Sequence, residues 1–470
     1  MKKRYVLIPA VLTAGLLMAA FAGELKELLT AQKGTVTVDF EKNVGEIREL
    51  NGINNGPKSG YTTDGVTDQW KIDATEIYQR LEIPIVRTHD SEYPYGQDKF
   101  VDIHCIFPEF SRDPEDPDAY DFACTDKYVA AIRETGAQVL FRLGESIDHS
   151  GDNLYINPPE DYEKWAQICE HIIRHYNEGW ADGFSYGITY WEIWNEPDNS
   201  RMWTGSGEEY FELYKTTARY LKERHPNIMI GGYAAGECSE GNIRDFLQYI
   251  KQDGIQTPLD FFSWHTYTND PEDYGRNART VRKILDENGY GDTISVLDEW
   301  NYVEDWKDLG KTYVLNHSFR SAAYLTASLI TMQNAPVELA AYYDGQFVQP
   351  EANWCGLYQE NVKTLPGYYA FEFFKRLREQ KNQADVQEAM ENLYVCAASG
   401  EKKAVLIANY SARKKQAALI RLKTEQEGKA VITRISEENP SGNSKEITWN
   451  FMRSILKIEP GETVYIEFTE

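Results

Sequence analysis

The sequence predicts a TIM (β/α)8 barrel with a C-terminal antiparallel β-sandwich domain, and two observations predict this fold. Between about residues 46 and 380, apolar strands alternate with amphipathic helices, and eight such units fit a barrel with long loops. From about residue 381 the chain changes to short strands separated by turn residues, as in an antiparallel sandwich. A doubly wound open sheet is the alternative, but no Gly-x-Gly-x-x-Gly turn follows any strand.

The eight predicted barrel strands are apolar runs near residues 47–54, 83–87, 137–142, 190–196, 228–232, 259–265, 293–299 and 337–344. The fourth should stop at Glu196, because Pro197 cannot donate to a sheet ladder. The next helix begins at Ser206, with Glu209 in capping-box spacing. A helix near 160–176 precedes the fourth strand, and a helix near 367–378 ends the barrel domain, residues 46–380.

The sandwich domain, residues 381–470, has predicted strands at 393–397, 404–409, 417–422, 430–435, 447–451, 455–458 and 463–468. Turn clusters such as Asn439-Pro440-Ser441-Gly442 and Pro460-Gly461 separate them. Segment 23–45 precedes the barrel, and its alternating residues 34–40 are a candidate strand to complete this sheet. No acid of the domain ends a strand beside an amide or a histidine, so we expect a supporting role.

Residues 1–22 have the order of a signal peptide. A basic start, Lys2-Lys3-Arg4, precedes a mostly apolar run, and Ala20-Phe21-Ala22 offers small residues before Gly23. We expect cleavage after Ala22 and a secreted or periplasmic protein that no longer contacts the membrane. An uncleaved membrane anchor is the alternative, because the apolar run is close to the shortest length that spans a bilayer.

The composition argues against nucleic acid as a partner, and we predict no metal site and no cofactor. A formal net charge of −25 repels nucleic acid and anionic membranes. The six cysteines are scattered without a Cys-x-x-Cys pair, so no zinc site is expected, and free thiols and one or two disulfides are both open. The 31 tyrosines and 11 tryptophans mainly form core, but such rings also stack on sugars.

Two carboxylates are predicted to face each other across the mouth of the barrel. Glu196 ends the fourth strand after Asn195, and Glu299 ends the seventh. Hydrolysis of a glycosidic bond needs such a pair, with a protonated acid for the leaving oxygen and an ionised group for the anomeric carbon. The amide of Asn195 is suited to hold the sugar 2-hydroxyl. The sequence therefore predicts a carbohydrate substrate.

The residues 191–198, Trp-Glu-Ile-Trp-Asn-Glu-Pro-Asp, together with Asp298-Glu299-Trp300-Asn301, resemble glycoside hydrolase family 39 in the TIM-barrel clan of retaining glycosidases. That family includes β-xylosidases and α-L-iduronidases, and it pairs a barrel with a β-sandwich. The resemblance covers roughly residues 35–470. It implies that Glu196 is the acid/base and Glu299 the nucleophile.

The resemblance also implies substrate-binding residues. Residues 260–267 are similar to the family's sixth strand, in which the positions of His265 and Tyr267 line the sugar site. Residues 87–90 resemble its second strand, usually Arg-Phe-His-Gly, which implies sugar contacts for Arg87 and His89. Asp90 and the segment 142–145, Arg-Leu-Gly-Glu, depart from the family pattern. Trp354, after the eighth strand, is a candidate sugar platform, with a packed loop tryptophan as the alternative.

Three further charged residues are expected to be structural. Glu192 and Arg142 are predicted to form an ion pair inside the barrel, because inward charges need partners there. Asp298 is predicted to point away from Glu299, because neighbours along a strand face opposite sides.

The first functional hypothesis is an exo-acting retaining glycosidase on β-xylosides or related pentose-containing plant glycans, as in xylan degradation. A uronic-acid glycosidase is a second hypothesis; it needs a cation for the substrate carboxylate, and Arg87 is the candidate, although Glu192 competes for it. A non-catalytic carbohydrate-binding barrel is a third, and the presence of both Glu196 and Glu299 speaks against it.

Overall fold

A computed structural model of the chain describes residues 30–62, 69–89, 101–148, 150–345 and 354–469. The predicted TIM barrel with a C-terminal sandwich is confirmed. Eight parallel strands close the barrel, numbered here 1 to 8 in chain order: Gly52–Asn54, Ile85–Arg87, Gln138–Leu143, Tyr190–Ile193, Met229–Ala235, Phe261–Tyr267, Ile294–Asn301 and Leu339–Tyr342. The predicted signal peptide and Asp90 lie outside the described residues.

Helices cover the outside of the barrel. In the described part of the chain they are Thr75–Leu81, Ile103–Ile106, Ala123–Glu134, Tyr162–Asn177, Gly207–Arg224, Glu240–Tyr249, Glu272–Glu287, Gly310–Asn316, Arg320–Gln333 and Pro366–Arg378. The predicted capping box is present, since Ser206 accepts from the backbone of Glu209 and the Glu209 side chain accepts from Ser206. Across the described ranges, no helix has the length and apolarity needed to span a bilayer.

The second domain is a nine-stranded sheet that folds over one apolar core. Its strands are Gln32–Glu46, Asn382–Gln387, Leu393–Ser399, Lys403–Asn409, Ala418–Lys423, Gly428–Ile435, Asn443–Trp449, Ile455–Ile458 and Thr463–Thr469. Gln32–Glu46 runs antiparallel to Asn382–Gln387 and parallel to Ala418–Lys423. Sequence reasoning missed Asn382–Gln387 because most of its residues are polar. Phe40 and Phe468 meet inside with ring centroids 5.8 Å apart.

The sandwich packs against the last two barrel helices. Phe373 stacks on Tyr465 with ring centroids 5.2 Å apart, and Arg376 bonds to Glu467 at 2.9 Å. Leu406 of the sandwich belongs to the same buried apolar cluster as the barrel core. This shared core fixes the sandwich to the side of the barrel. No disulfide joins any two of the six cysteines, all of which lie in described residues.

The predicted ion pair between Glu192 and Arg142 is wrong. The two residues are paired across strands 3 and 4, but each binds another partner. Arg142 donates to Asp102 at 2.6 Å, and Glu192 accepts from Arg87 at 2.7 Å. Asp102, the partner of Arg142, lies in the loop after strand 2, and the strand pattern of the sequence does not predict the position of that loop.

Candidate active site

Glu196 and Glu299 lie together at the carboxyl-terminal mouth of the barrel, as predicted from their strand positions. His265, on strand 6, lies between them: its Nδ1 is 2.8 Å from Glu196 Oε1 and 3.5 Å from Glu299 Oε2. An oxygen of Glu196 and an oxygen of Glu299 are within 4.8 Å of each other. The two carboxylates can therefore act on the same bond of a bound substrate.

The chain turns sharply between strand 4 and Glu196. Strand 4 ends at Ile193, before the predicted end, because Trp194 and Glu196 adopt left-handed backbone conformations with φ of +71° and +43°. Such backbone is strained for a bulky residue and is concentrated at functional sites. The buried Trp194 indole donates to Met202 O at 2.9 Å, which holds the turn. Asn199 Nδ2 donates to Glu196 Oε2 at 2.8 Å and orients the carboxylate.

Glu299 is held as an anion. Its carboxylate receives hydrogen bonds from Arg87 at 2.8 Å and from the Tyr267 hydroxyl at 2.7 Å, and His89 Nε2 lies 2.7 Å away. Burial alone would raise the pKa of Glu299, but His265, His89 and Arg87 outweigh it and hold the pKa well below its usual range. A buried ionised carboxylate next to a less buried one suits a division into nucleophile and acid.

Arg87, on strand 2, ties the site to the barrel interior. Its fully buried guanidinium also donates to Glu192 at 2.7 Å, Asn195 Oδ1 at 2.6 Å and Asn54 Oδ1 at 3.1 Å. Burial lowers the pKa of Arg87, but the surrounding carboxylates more than offset this and keep it above its ordinary value. With these partners, Arg87 positions Glu299 and Asn195, and it is not free for a substrate carboxylate.

The prediction that Asp298 points away from Glu299 is wrong. Leu297 pairs with Trp264 and Glu299 pairs with His265, so Asp298 is an extra residue in a β-bulge. The bulge interrupts the alternation, and both acids face Arg87; Asp298 lies 3.0 Å from Arg87 Nε and 3.5 Å from His265 Nε2. Burial and then the neighbouring Glu192 raise the pKa of Asp298 well above its usual range.

Asn195 lies in the site as expected, with 2% of its surface exposed. Because the amide oxygen of Asn195 accepts a hydrogen bond from Arg87, the orientation of the amide is fixed. Its amide nitrogen has no hydrogen-bond partner among the described residues. That donor is available to a sugar hydroxyl.

Aromatic rings form one wall of the site. Trp354 meets Tyr267 and Tyr343 with centroid distances of 6.2 and 6.4 Å, and Tyr343 meets His89 at 5.5 Å. The structure thus brings the predicted Trp354 together with Tyr267 and His89. Tyr343 was missed by sequence reasoning, although its position directly after strand 8 could have indicated it. Trp306, in the loop after strand 7, was also missed.

Two groups of described residues offer three ligand atoms each for a metal ion, namely Glu196–His265–Glu299 and Asp102–His104–Glu145. In both, the histidine contacts a carboxylate of the group directly. The second group lies at the rim, in the loops after strands 2 and 3. Glu145 accepts from the backbone of His104 at 3.1 Å, and burial raises the pKa of Glu145.

Comparison with known proteins agrees with this arrangement. A beta-xylosidase from Geobacillus stearothermophilus is 27% identical over 228 residues, which are 42% of this chain and 44% of that protein. A beta-xylosidase from Caldicellulosiruptor saccharolyticus is 22% identical over 405 residues, 79% of this chain and 78% of that protein. A solved glucosidase structure from Croceicoccus marinus shares the fold, with a TM-score of 0.73, 23% identity and coverage of 94% of this chain and 99% of that one.

The sequence model of the family described as "Glycosyl hydrolases family 39" matches residues 59–414, which include Glu196, Glu299 and barrel strands 2 to 8. The chain is therefore a glycoside hydrolase and belongs to glycosyl hydrolases family 39.

Proposed function

We propose that this protein is an exo-acting retaining glycosidase that removes β-xylosyl or related pentosyl units from plant glycans. The observation that carries the proposal is the ionised Glu299 facing Glu196, with oxygens of the two within 4.8 Å. Retaining glycosidases have carboxyl groups about 5–5.5 Å apart, whereas inverting enzymes need about 6.5–9.5 Å to admit a water molecule. The short separation supports direct attack by one carboxylate.

In the first step, Glu299 attacks the anomeric carbon and its oxygen forms a bond to that carbon. The glycosidic C–O bond breaks, and Glu196 gives its proton to the leaving oxygen, so that an alcohol departs. In the second step, Glu196 takes a proton from water, and the water oxygen attacks the anomeric carbon. The bond to Glu299 breaks, and the sugar is released with its original configuration. The fixed amide of Asn195 binds the 2-hydroxyl, a contact that strengthens in the transition state.

The pentoside specificity is supported by two relatives named beta-xylosidase. The uronic-acid hypothesis is weakened because its candidate cation, Arg87, already binds Glu192, Asp298 and Glu299. A fold neighbour named a glucosidase makes a glucoside a necessary comparison.

Nitrophenyl xyloside, arabinosides, glucoside and glucuronide should be compared. We expect the highest kcat/KM on the xyloside, and a preference for the glucuronide would overturn the specificity. Products of a xylo-oligosaccharide should be single xylose units from the first turnover.

Azide separates the roles of the two acids. In Glu196→Ala the covalent intermediate still forms from an activated aryl glycoside, and azide should intercept it to give a glycosyl azide of retained configuration. In Glu299→Ala, azide must attack the substrate directly and give the inverted azide. If the two variants gave the opposite configurations, Glu196 would be the nucleophile and Glu299 the acid/base. Release of the inverted sugar by the wild-type enzyme would refute the two-step mechanism.

We also propose export with removal of residues 1–22, because a basic start, an apolar run and Ala20-Phe21-Ala22 follow one another. The mass of the exported protein should correspond to a chain that begins at Gly23. Exported protein that still carries Met1 would show that the segment is retained.

A further inference from the structure

Trp306 extends the aromatic wall of the active site outward. It lies in the loop after strand 7, and its ring meets Tyr267 at 5.1 Å and Trp354 at 6.0 Å between centroids. Tyr267 in turn donates to Glu299. One aromatic ring therefore separates Trp306 from the candidate nucleophile.

The indole of Trp306 is open to a ligand. Both neighbouring rings meet it edge-to-face, with interplanar angles of 70° and 84°, so neither stacks parallel on it. The side chain remains 59% exposed, which is a large apolar surface to leave in water beside a reaction centre. A flat apolar ring with an N–H group suits the C–H face and hydroxyls of a sugar ring.

We propose that the exposed indole of Trp306 is the platform of a second sugar-binding subsite, which holds the unit next to the one that is cleaved off. The inference rests on the exo action proposed above: an exo-acting enzyme binds one unit in its catalytic pocket, so the second unit is the leaving group. Trp306 is then a residue that determines preference for a glycan over a simple glycoside. The identity of the cleaved sugar does not enter the argument.

The test compares two substrates that differ only in the leaving group, β-xylosyl fluoride and xylobiose. An aryl glycoside is unsuitable, because its aromatic leaving group could itself stack on Trp306. For Trp306→Ala we expect kcat/KM to fall about tenfold on xylobiose, the size of a lost aromatic contact, and to stay within about twofold on the fluoride. Trp306→Phe should recover part of the loss.

The matched control is Phe451→Ala, which removes another exposed aromatic side chain (66% exposed) from the sandwich domain. It should leave both substrates unaffected. An equal loss on xylobiose and on the fluoride in Trp306→Ala would mean that Trp306 acts through Tyr267 on the chemical step, and would overturn the subsite. No loss on either substrate would also overturn it.

Binding provides a readout that does not depend on turnover. In the Glu299→Ala background, calorimetry should find xylobiose bound about tenfold more tightly than xylose, and the additional Trp306→Ala change should abolish that advantage. If the wild-type enzyme cleaves another glycoside instead of xylosides, only the proposed pentoside specificity is refuted, and the subsite proposal is unaffected. The fluoride, disaccharide and monosaccharide of that sugar then test the subsite by the same criteria.

Discussion

Replacement of Arg87 by methionine should reveal how strongly one buried cation supports the active site. The side chain has similar length but no charge and no donors. It would leave Glu192, Asp298 and Glu299 without their shared partner, and it would free the amide of Asn195 to rotate. We therefore expect a loss of both stability and activity from this single change.

The expected magnitude follows from the burial of the cluster, in which Arg87 and Glu192 are both fully buried. Breaking a buried pair by removing one partner costs about 3–5 kcal/mol, because a charge remains buried without compensation. With an unfolding entropy of about 2.1 cal/mol/K per residue over 470 residues, Tm should fall by about 3–5 °C.

The sign of the pH effect follows from the lowered pKa of Glu299. Its contribution to stability is fully present above its unfolded pKa of about 4.3 and is lost as pH falls through the lower folded value. Without Arg87 the pKa of Glu299 rises. The difference in Tm between the wild type and Arg87→Met should therefore be largest at neutral pH and should become smaller as pH is lowered. The acid limb of kcat/KM should move to higher pH.

Calorimetry and a pH profile of kcat/KM measure both effects. Arg142→Met is the matched control, because Arg142 is also fully buried and paired with Asp102 but does not touch Glu299. It should lower Tm without moving the acid limb. If Arg87→Met left the acid limb where it is in the wild type, or if Arg142→Met moved it equally, the assignment of Arg87 to Glu299 would be wrong.

Three further changes test other parts of the structure. Tyr267→Phe removes the hydroxyl that is 2.7 Å from Glu299 and should lower kcat/KM about tenfold or more with little change in Tm; an unchanged rate would contradict this. Asp298→Asn should keep most of the stability, since a protonated acid and an amide are similar, whereas Asp298→Ala should not; equal losses would argue for an ionised Asp298. Truncation at residue 380 should lower solubility and Tm by exposing the surface that packs on the sandwich, and full stability of the fragment would refute that role.

The positions of the strands were predictable from sequence because they depend on local chemistry. Apolar runs located strands 4 and 7, so the meeting of Glu196 with Glu299 followed from barrel geometry, although strand 4 ends at Ile193 and not at Glu196, where Pro197 had indicated. His265, Tyr267 and His89 could be assigned only through the family resemblance. The partners of Arg142 and Glu192 could not be predicted, because they depend on which side chains of four different strands and loops meet inside the barrel.

The β-bulge at Asp298 shows most clearly why the site could not be derived from alternation alone. One inserted residue brings a second acid to the same face as Glu299 and next to Glu192, so three carboxylates surround Arg87. Three negative charges around one buried cation are costly, and the cost falls if one acid keeps its proton. Burial and the neighbouring Glu192 raise the pKa of Asp298, which favours its protonated form, and Asp298 is fully buried. A proton kept on Asp298 would leave Arg87 to stabilise Glu299 as an anion, and the bulge would then support the charge state that nucleophilic attack requires.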